Sequence, residues 1–512
     1  MSPTALARRA PSRGRRPAPP VRPRSWAHRH WLILSVAGLV LISGLVIWQR
    51  PWEQCGPGLD YTADAGCVGL NLESGPFRDD DPLADLEALI ADRNGQVAGD
   101  YETIVLLENM TSDPDTDSTP TEYVRHEIEG AIAAVWPGPG ETPRFKLLLA
   151  NIGGDAAHWR TVVDRILEHA DGEHIAAVTG LGISLANVRD AVAALSAHDI
   201  VTIGATVTGD DLNFDAGQRP IRNFFRVGPT NSDEARAAVN YIAGLPKRRT
   251  MLVADVSDAE IYAATLARAF QAQDRVPVEF TKKYRLPPKL TGANRHEYLL
   301  KLFSGMHSDI CAAQPDVIYF AGRGVDLRSF TTALAEDGAC RQLPSVTVVS
   351  GDDAATLVGS PLRLDGDIAV RPLYTALAYR DQWQKFVGDE ASLTYRTNYN
   401  DFENRFTRNK FPLTDLLDGA AMIEYDAAAT AVKAAEENPA RGHEGMANFV
   451  ANIDCNSALP GATGFVAFRQ EDGNQVDKAL PILELRADGS TSPDALVWSQ
   501  GRPLDTSPAC RS

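Results

Sequence analysis

The chain has 512 residues, a formal net charge of −17, and a composition of 44% hydrophobic and 23% charged residues, which is that of a globular protein large enough for more than one domain. Eight arginines and no acid fall within the first thirty residues, so the remainder is more acidic than the total suggests. A body of that sign excludes a nucleic-acid surface, because phosphate contacts need clustered Lys and Arg.

Residues 1–30, rich in Pro and Arg, are expected to form a disordered tail. The run Trp31–Trp48 (WLILSVAGLVLISGLVIW) carries no charge. At about 1.5 Å per residue it would reach about 27 Å as a helix, enough to cross a thin bilayer. Tryptophans at both ends and arginines before it predict a transmembrane signal anchor, with a cytoplasmic N-terminus and an extracytoplasmic body. The run closes on Ile47-Trp48-Gln49-Arg50-Pro51-Trp52, with no small-residue cleavage pattern, so the anchor is read as uncleaved. Residues 49–100 read as an extracytoplasmic linker, irregular except for an amphipathic helix over Pro82–Arg93.

From Tyr101 short apolar runs alternate with helical stretches. Strands are expected at Glu102–Leu107, Phe145–Asn151, His174–Thr179 and Ile200–Gly204. Between them the spacing predicts helices at Thr121–Val135, Ala157–Ala170 and Leu185–His198. The pattern then restarts, with strands at Thr250–Ala254, Val278–Tyr284, Val317–Ala321 and Ser345–Ser350. Its helices are expected at Ser232–Ala243, Ile261–Gln273, His296–Ala312 and Leu327–Asp337. Alternation of this kind means parallel sheets covered on both faces, here in two α/β lobes. Near the end, Asp418–Glu437 is an alanine-rich helix, residues 401–417 read as a polar loop, and Gly461–Phe468 as a turn entering a strand. The expected division is residues 101–225 with 356–460 in the first lobe and 226–355 with 461–500 in the second.

Six cysteines, Cys55, Cys67, Cys311, Cys340, Cys455 and Cys510, all follow the apolar run. An even number confined to an exported body fits an oxidising compartment. Pairing of sequence neighbours (Cys55–Cys67, Cys311–Cys340, Cys455–Cys510) is the simplest connectivity, and free buried thiols are the alternative. No C-x-x-C or H-E-x-x-H spacing occurs, so no metal site is expected. Gly180-Leu-Gly182 and Gly322-Arg-Gly324 lack the third glycine of a dinucleotide fingerprint, and no Walker A sequence is present, so no cofactor is expected.

Three stretches together resemble the type I periplasmic binding proteins, the family of the leucine/isoleucine/valine-binding protein. They are Asn223-Phe-Phe-Arg226-Val-Gly-Pro-Thr-Asn231-Ser-Asp233, Tyr425-Asp426-Ala427-Ala428, and Gly461-Ala-Thr-Gly464-Phe-Val-Ala-Phe468 followed by Asp472-Gly473. The resemblance spans roughly residues 101–485, and Cys67-Val68-Gly69 with Asp85–Asn94 is similar to anchored actinobacterial members. It implies two Rossmann-like lobes joined by a hinge, preceded here by the one transmembrane helix, and a binding function, not an enzymatic one. The implied role is capture of an amino-acid-like small molecule for an ABC-type importer, with a permease as partner. The alternative is an anchored sensory or regulatory ectodomain that passes closure to a membrane signalling partner.

In open α/β lobes ligands sit outside the C-terminal ends of strands. Ser184 follows one such strand, either as a helix N-cap or, as the resemblance implies, as a group holding a ligand carboxylate. Thr206 and Thr208, after the next strand, match the position that completes that grip. Asp352, with Asp353 as an immediate rival, matches the acidic anchor for an ammonium. Arg323 departs from the aromatic residue usual at its position; it would bind a second ligand acid or pair with Asp352. Tyr262 is placed either in the cleft or in a helix core. Gly182-Ile-Ser184-Leu-Ala186 approaches the nucleophile elbow of serine hydrolases but lacks the final glycine; His307 and His443 are the histidines that follow it in a suitable order.

Overall fold

The computed structural model describes Ser35 and residues 55–500, except 114–116, 137, 139–142, 258–259, 288–289, 291, 337–339, 388–389, 439–441 and 499. The expected tail, the expected anchor Trp31–Trp48 apart from Ser35, and Cys510 lie outside the described residues. Among the described residues no helix is long and apolar enough to cross a membrane.

The first sheet contains β1 (Leu59–Thr62), β2 (Gly66–Asn71), β3 (Glu102–Glu108), β4 (Phe145–Asn151), β5 (Ile175–Gly180), β6 (Val201–Gly204) and β7 (Phe224–Arg226), in the order β1-β2-β4-β3-β5-β6-β7. From β4 to β7 all pairings are parallel, while β1 and β2 join antiparallel at one edge. The second sheet contains β8 (Thr250–Asp255), β9 (Val278–Tyr284), β10 (Val317–Ala321), β11 (Ser345–Ser350) and β12 (Ala369–Thr375). A small hairpin of β13 (Leu459–Gly461) and β14 (Gly464–Val466) precedes β15 (Ala479–Leu485) and β16 (Thr491–Trp498), which complete the second sheet in the order β16-β15-β12-β11-β10-β8-β9.

The two apolar faces expected of such strands are visible along β3. Ile104 and Leu106 enter one core with the helices Thr121–Val135 and Ala420–Glu436, while Val105 and Leu107 enter the core on the opposite face. In the second sheet Ile318 and Phe320 of β10 face one way and Tyr319 the other. The helices Thr121–Val135 and Ala420–Glu436 pack closely because Gly130 has no side chain: a Cβ there would collide with the Ala421 carbonyl oxygen.

Several expectations need correction. The stretch 49–100 is more than a linker, since β1 and β2 extend the first sheet and the Cys55–Cys67 disulfide fastens it; its helix runs over Ala84–Gly95. The return to the first lobe, expected at 356, comes after β12, because Ala369–Thr375 pairs with β11. The hairpin β13–β14 belongs with the first lobe, where Val466 and Phe468 are buried, so the second lobe resumes near β15. The polar stretch 401–417 begins as helix, within Glu390–Arg408, which buries Tyr395, Tyr399, Phe402 and Phe406 along one side. The helix expected over His296–Ala312 is two, Gly292–Ser304 and His307–Ala313, interrupted at Gly305.

Cys311 is joined to Cys340, as expected. Cys455 is also disulfide-bonded, and its expected partner, Cys510, lies outside the described residues.

Candidate ligand cleft

Three segments cross between the lobes: 227–230, 376–381 and the stretch between Phe468 and β15. The sequence motifs converge on these crossings. The Arg226 N–H donates to Gly473 O at 3.1 Å, and Lys478 Nζ donates to Val227 O at 2.7 Å. Asp426, within the Tyr425-Asp-Ala-Ala helix, accepts the Ala462 N–H at 2.6 Å, the Thr463 N–H at 3.1 Å and the Thr463 hydroxyl. Fully buried Arg226 sends Nη1 to the carbonyls of Val207 (3.1 Å) and Gly209 (3.0 Å), which fixes the loop carrying Thr206 and Thr208.

The strand ends of the two lobes face each other next to these crossings. At the end of β5, Gly180, Leu181 and Gly182 all have positive φ (80°, 81° and 65°), turning the chain sharply so that Ser184 lies over the sheet edge. Contact between the lobes is direct here: the Tyr262 N–H donates to Ser184 O at 3.3 Å, and Leu185 and Glu260 form an antiparallel bridge. At the rim, Arg268 and Asp211 form an exposed ion pair at 2.7 Å.

Ser184, Thr206, Tyr262, Arg323 and Asp352 line one cavity between the lobes, together with Glu108, Thr119, Tyr123, Glu127, Gly182, Ile183, Asp353 and Thr356. Its enclosed volume is about 20 Å³, enough for about one water molecule. Admission of anything larger requires the lobes to part. A larger cavity of about 480 Å³, bordered by Trp136, Arg144 and Lys433, is confined to the first lobe, away from these strand ends.

Each expected site residue can now be placed. Ser184 is not an N-cap; that position belongs to Leu185, and Ser184 Oγ accepts the Gly209 N–H at 3.0 Å. The Thr206 hydroxyl has two acceptors in reach, Glu127 Oε1 at 3.1 Å and Gly182 O at 3.0 Å. Thr208 does not line the cavity; fully buried, it donates to Asp352 Oδ1 at 3.3 Å across the lobes. The Tyr262 oxygen accepts the Asp353 N–H at 3.2 Å, and its ring lies 5.0 Å beneath the Arg323 guanidinium. Arg323 pairs with Asp353 (Nη1 to Oδ1, 3.0 Å) and Glu260 (Nε to Oε2, 3.0 Å), not with Asp352 as one expectation had it. The hydrolase alternative finds no support, because no histidine is among the residues lining the cavity; His443 meets Ile175 O instead.

Most of the acids in and behind this cavity are not among the residues expected from the sequence. Glu108 ends β3 and its Oε1 accepts the Gly182 N–H at 2.6 Å. Burial lifts its carboxyl to about 8, against the lowering effect of that hydrogen bond. Glu127 is lifted well above the usual carboxylate range by burial and by the neighbouring Glu108 and Glu424. Asp352 is raised to about 7 by burial and by Asp353. Behind it, fully buried Glu234 accepts the Asp352 N–H (2.8 Å) and the Thr375 hydroxyl (2.7 Å), and burial with the Asp352 charge raises it as well. Glu108 could have been suspected, since a carboxylate closing a buried parallel strand lies on the ligand side of the sheet.

No family model matches the chain, and no curated protein matches it in sequence. Solved structures do match in fold. An ABC transporter substrate-binding protein from Desulfitobacterium hafniense, in complex with Leu, superposes with a TM-score of 0.55 at 17% identity, covering 77% of this chain and 100% of its own. The branched-chain amino acid transporter substrate-binding protein LivJ from Streptococcus pneumoniae, in complex with isoleucine, gives 0.53 at 15% identity, covering 78% and 100%. A solute-binding protein from R. palustris, in complex with 4-hydroxybenzoate, gives 0.56 at 14% identity, covering 79% and 99%. The chain therefore has the two-lobed α/β fold of these binding proteins.

Proposed function

We propose that this chain is an extracytoplasmic small-molecule binding protein serving substrate capture for an ABC-type importer. The observation that carries this reading is the cavity between opposed strand ends, lined from both lobes and lying beside the three crossings. A ligand held by both sides stabilises the closed arrangement over the open one, and closure is the signal a permease can read. Substrate-binding neighbours of the same fold support the importer use. Retention at the membrane by Trp31–Trp48, with the N-terminus cytoplasmic, is part of the proposal, and it also suits a sensory ectodomain.

The test has two arms. Thermal-shift screening of amino acids, amines, aromatic acids and sugars on the full chain should find a ligand that raises Tm and that calorimetry confirms at a single site. Fractionation should leave the chain with membranes after a salt wash. Absence of any stabilising ligand overturns the binding role; a soluble chain beginning near residue 50 overturns the anchor.

A further inference from the structure

Three donors of the first lobe that stand near the cavity are already used. The Gly182 N–H is taken by Glu108, the Gly209 N–H by Ser184, and the Thr206 hydroxyl by Glu127 or Gly182 O. A ligand carboxylate placed there would also lie against the carboxyl groups of Glu108 and Glu127, with no cation on that wall to balance its charge. On the opposite wall stand Asp352 and Asp353. Arg323 is the one cation among the lining residues, and it is held between Asp353 and Glu260.

A second observation points the same way. Glu127 is only 1% exposed, lines the cavity, and its Oε2 has no hydrogen-bond partner. A buried acceptor left open costs stability unless a donor arrives. Among the described residues no group of three or more His, Cys, Asp and Glu is arranged to hold a metal ion. A donor carried by an organic molecule fits better. Tyr123, beside Glu127, supplies an aromatic surface of the kind that favours organic cations.

We propose that the ligand of this cleft is an organic cation lacking a carboxylate, an alkylamine or a guanidine, with Glu127 of the first lobe and Asp352 of the second meeting its charge. This rests on the binding role proposed above and narrows its ligand class. Around Glu127 the titratable neighbours are Glu108, Glu424, Asp418 and Tyr123; around Asp352 they are Asp353, Glu234, Tyr262, Tyr123 and Tyr319. Binding of a cation would therefore draw protons off this cluster.

Two ligand pairs that differ only by the carboxylate decide the matter: agmatine against arginine, and 3-methylbutylamine against leucine. Calorimetry near neutral pH should show at least one amine binding roughly tenfold or more tighter than its amino acid. Heats that change with the ionisation enthalpy of the buffer should report proton release. Glu127→Gln, which keeps the shape, should weaken amine binding by roughly tenfold to a hundredfold. Asp352→Asn should do the same from the other lobe, and serves where the first variant does not fold. Tighter binding of arginine and leucine than of their amines overturns the cation assignment and leaves the binding role intact. So does binding of 4-hydroxybenzoate or a sugar with no amine binding. Failure of every compound in the broader screen overturns both.

Discussion

Thr208 donates its hydroxyl hydrogen to Asp352 Oδ1 at 3.3 Å, joining two residues 144 positions apart that are carried by different lobes. Both are buried, so neither group has ready access to water in the closed arrangement. Removing the donor leaves a carboxyl oxygen short of a partner only while the lobes are together. Thr208→Val should disfavour closure by about 1–3 kcal/mol. Small-angle scattering on the ligand-free variant should show a larger radius of gyration than the parent chain. Identical scattering curves would show that the contact does not hold the lobes.

The second prediction concerns the disulfides. Cys311–Cys340 closes a sequence separation of 29 residues around β10, and Cys55–Cys67 closes one of 12. In the chain-entropy account the longer loop contributes about 3–4 kcal/mol and the shorter one less. The double variant Cys311→Ala with Cys340→Ala should lower Tm more than Cys55→Ala with Cys67→Ala. Peptide mapping of the unreduced chain should recover both linked pairs; free thiols at these four positions would contradict the assignment.

Stability should fall as pH rises from about 5 to 8. Glu108 and Glu129 are raised to about 8 and Glu87 to about 9, all chiefly by burial, from an ordinary value of 4.5. In that window the folded chain holds protons that the unfolded chain has released, so unfolding becomes easier with each pH unit. His126 acts in the same sense: burial opposes its charge, but Asp418, 2.6 Å away, keeps it protonated to about 9. Its contribution is full below about 6.5 and is lost as the pH passes 9. Lys478, lowered by burial to about 8, works the other way only above that value. Melting curves across the range should show a steady decline; a maximum at pH 8 would refute the argument.

The packing of Gly130 against Ala421 gives the fourth prediction. Gly130→Ala would force the helices Thr121–Val135 and Ala420–Glu436 apart, since the obstacle is backbone and cannot rotate away. The overpacking cost is about 1–3 kcal/mol. It should appear as a lower denaturant midpoint with an unchanged m-value. Because Glu127 lies one turn before Gly130, ligand affinity should fall as well.

The parallel strands were legible in the sequence because burial on both faces writes them as unbroken apolar runs. Phe145–Asn151, Val317–Ala321 and Ser345–Ser350 have the expected bounds. Other strands lack such runs. β12 lies inside the sheet, but Arg371 and Pro372 interrupt its apolar run; β16 is an edge strand with Pro493, beside which the register with β15 shifts, and edge positions tolerate residues that central strands exclude. The helix Glu390–Arg408 hid its four buried aromatics among polar neighbours. In the cleft, Ser184, Thr206 and Asp352 could be found because topology puts their loops at the ligand edge. Glu127 could not: an acid on an amphipathic helix reads as a solvated face until the packing of Ala420–Glu436 encloses it. Arg323 stands out in the sequence, but its partners, Glu260 and Asp353, are visible only in the coordinates.

The three crossings between the lobes have a covalent consequence. A protease that cuts one of them leaves the two halves of the body joined by the other two. Around these cuts the hydrogen bonds from Arg226 to Gly473 and from Lys478 to Val227 still reach across the break. Nicked protein should therefore run as two fragments on a denaturing gel while eluting as one particle from a sizing column, and it should be able to open and shut while carrying the cut.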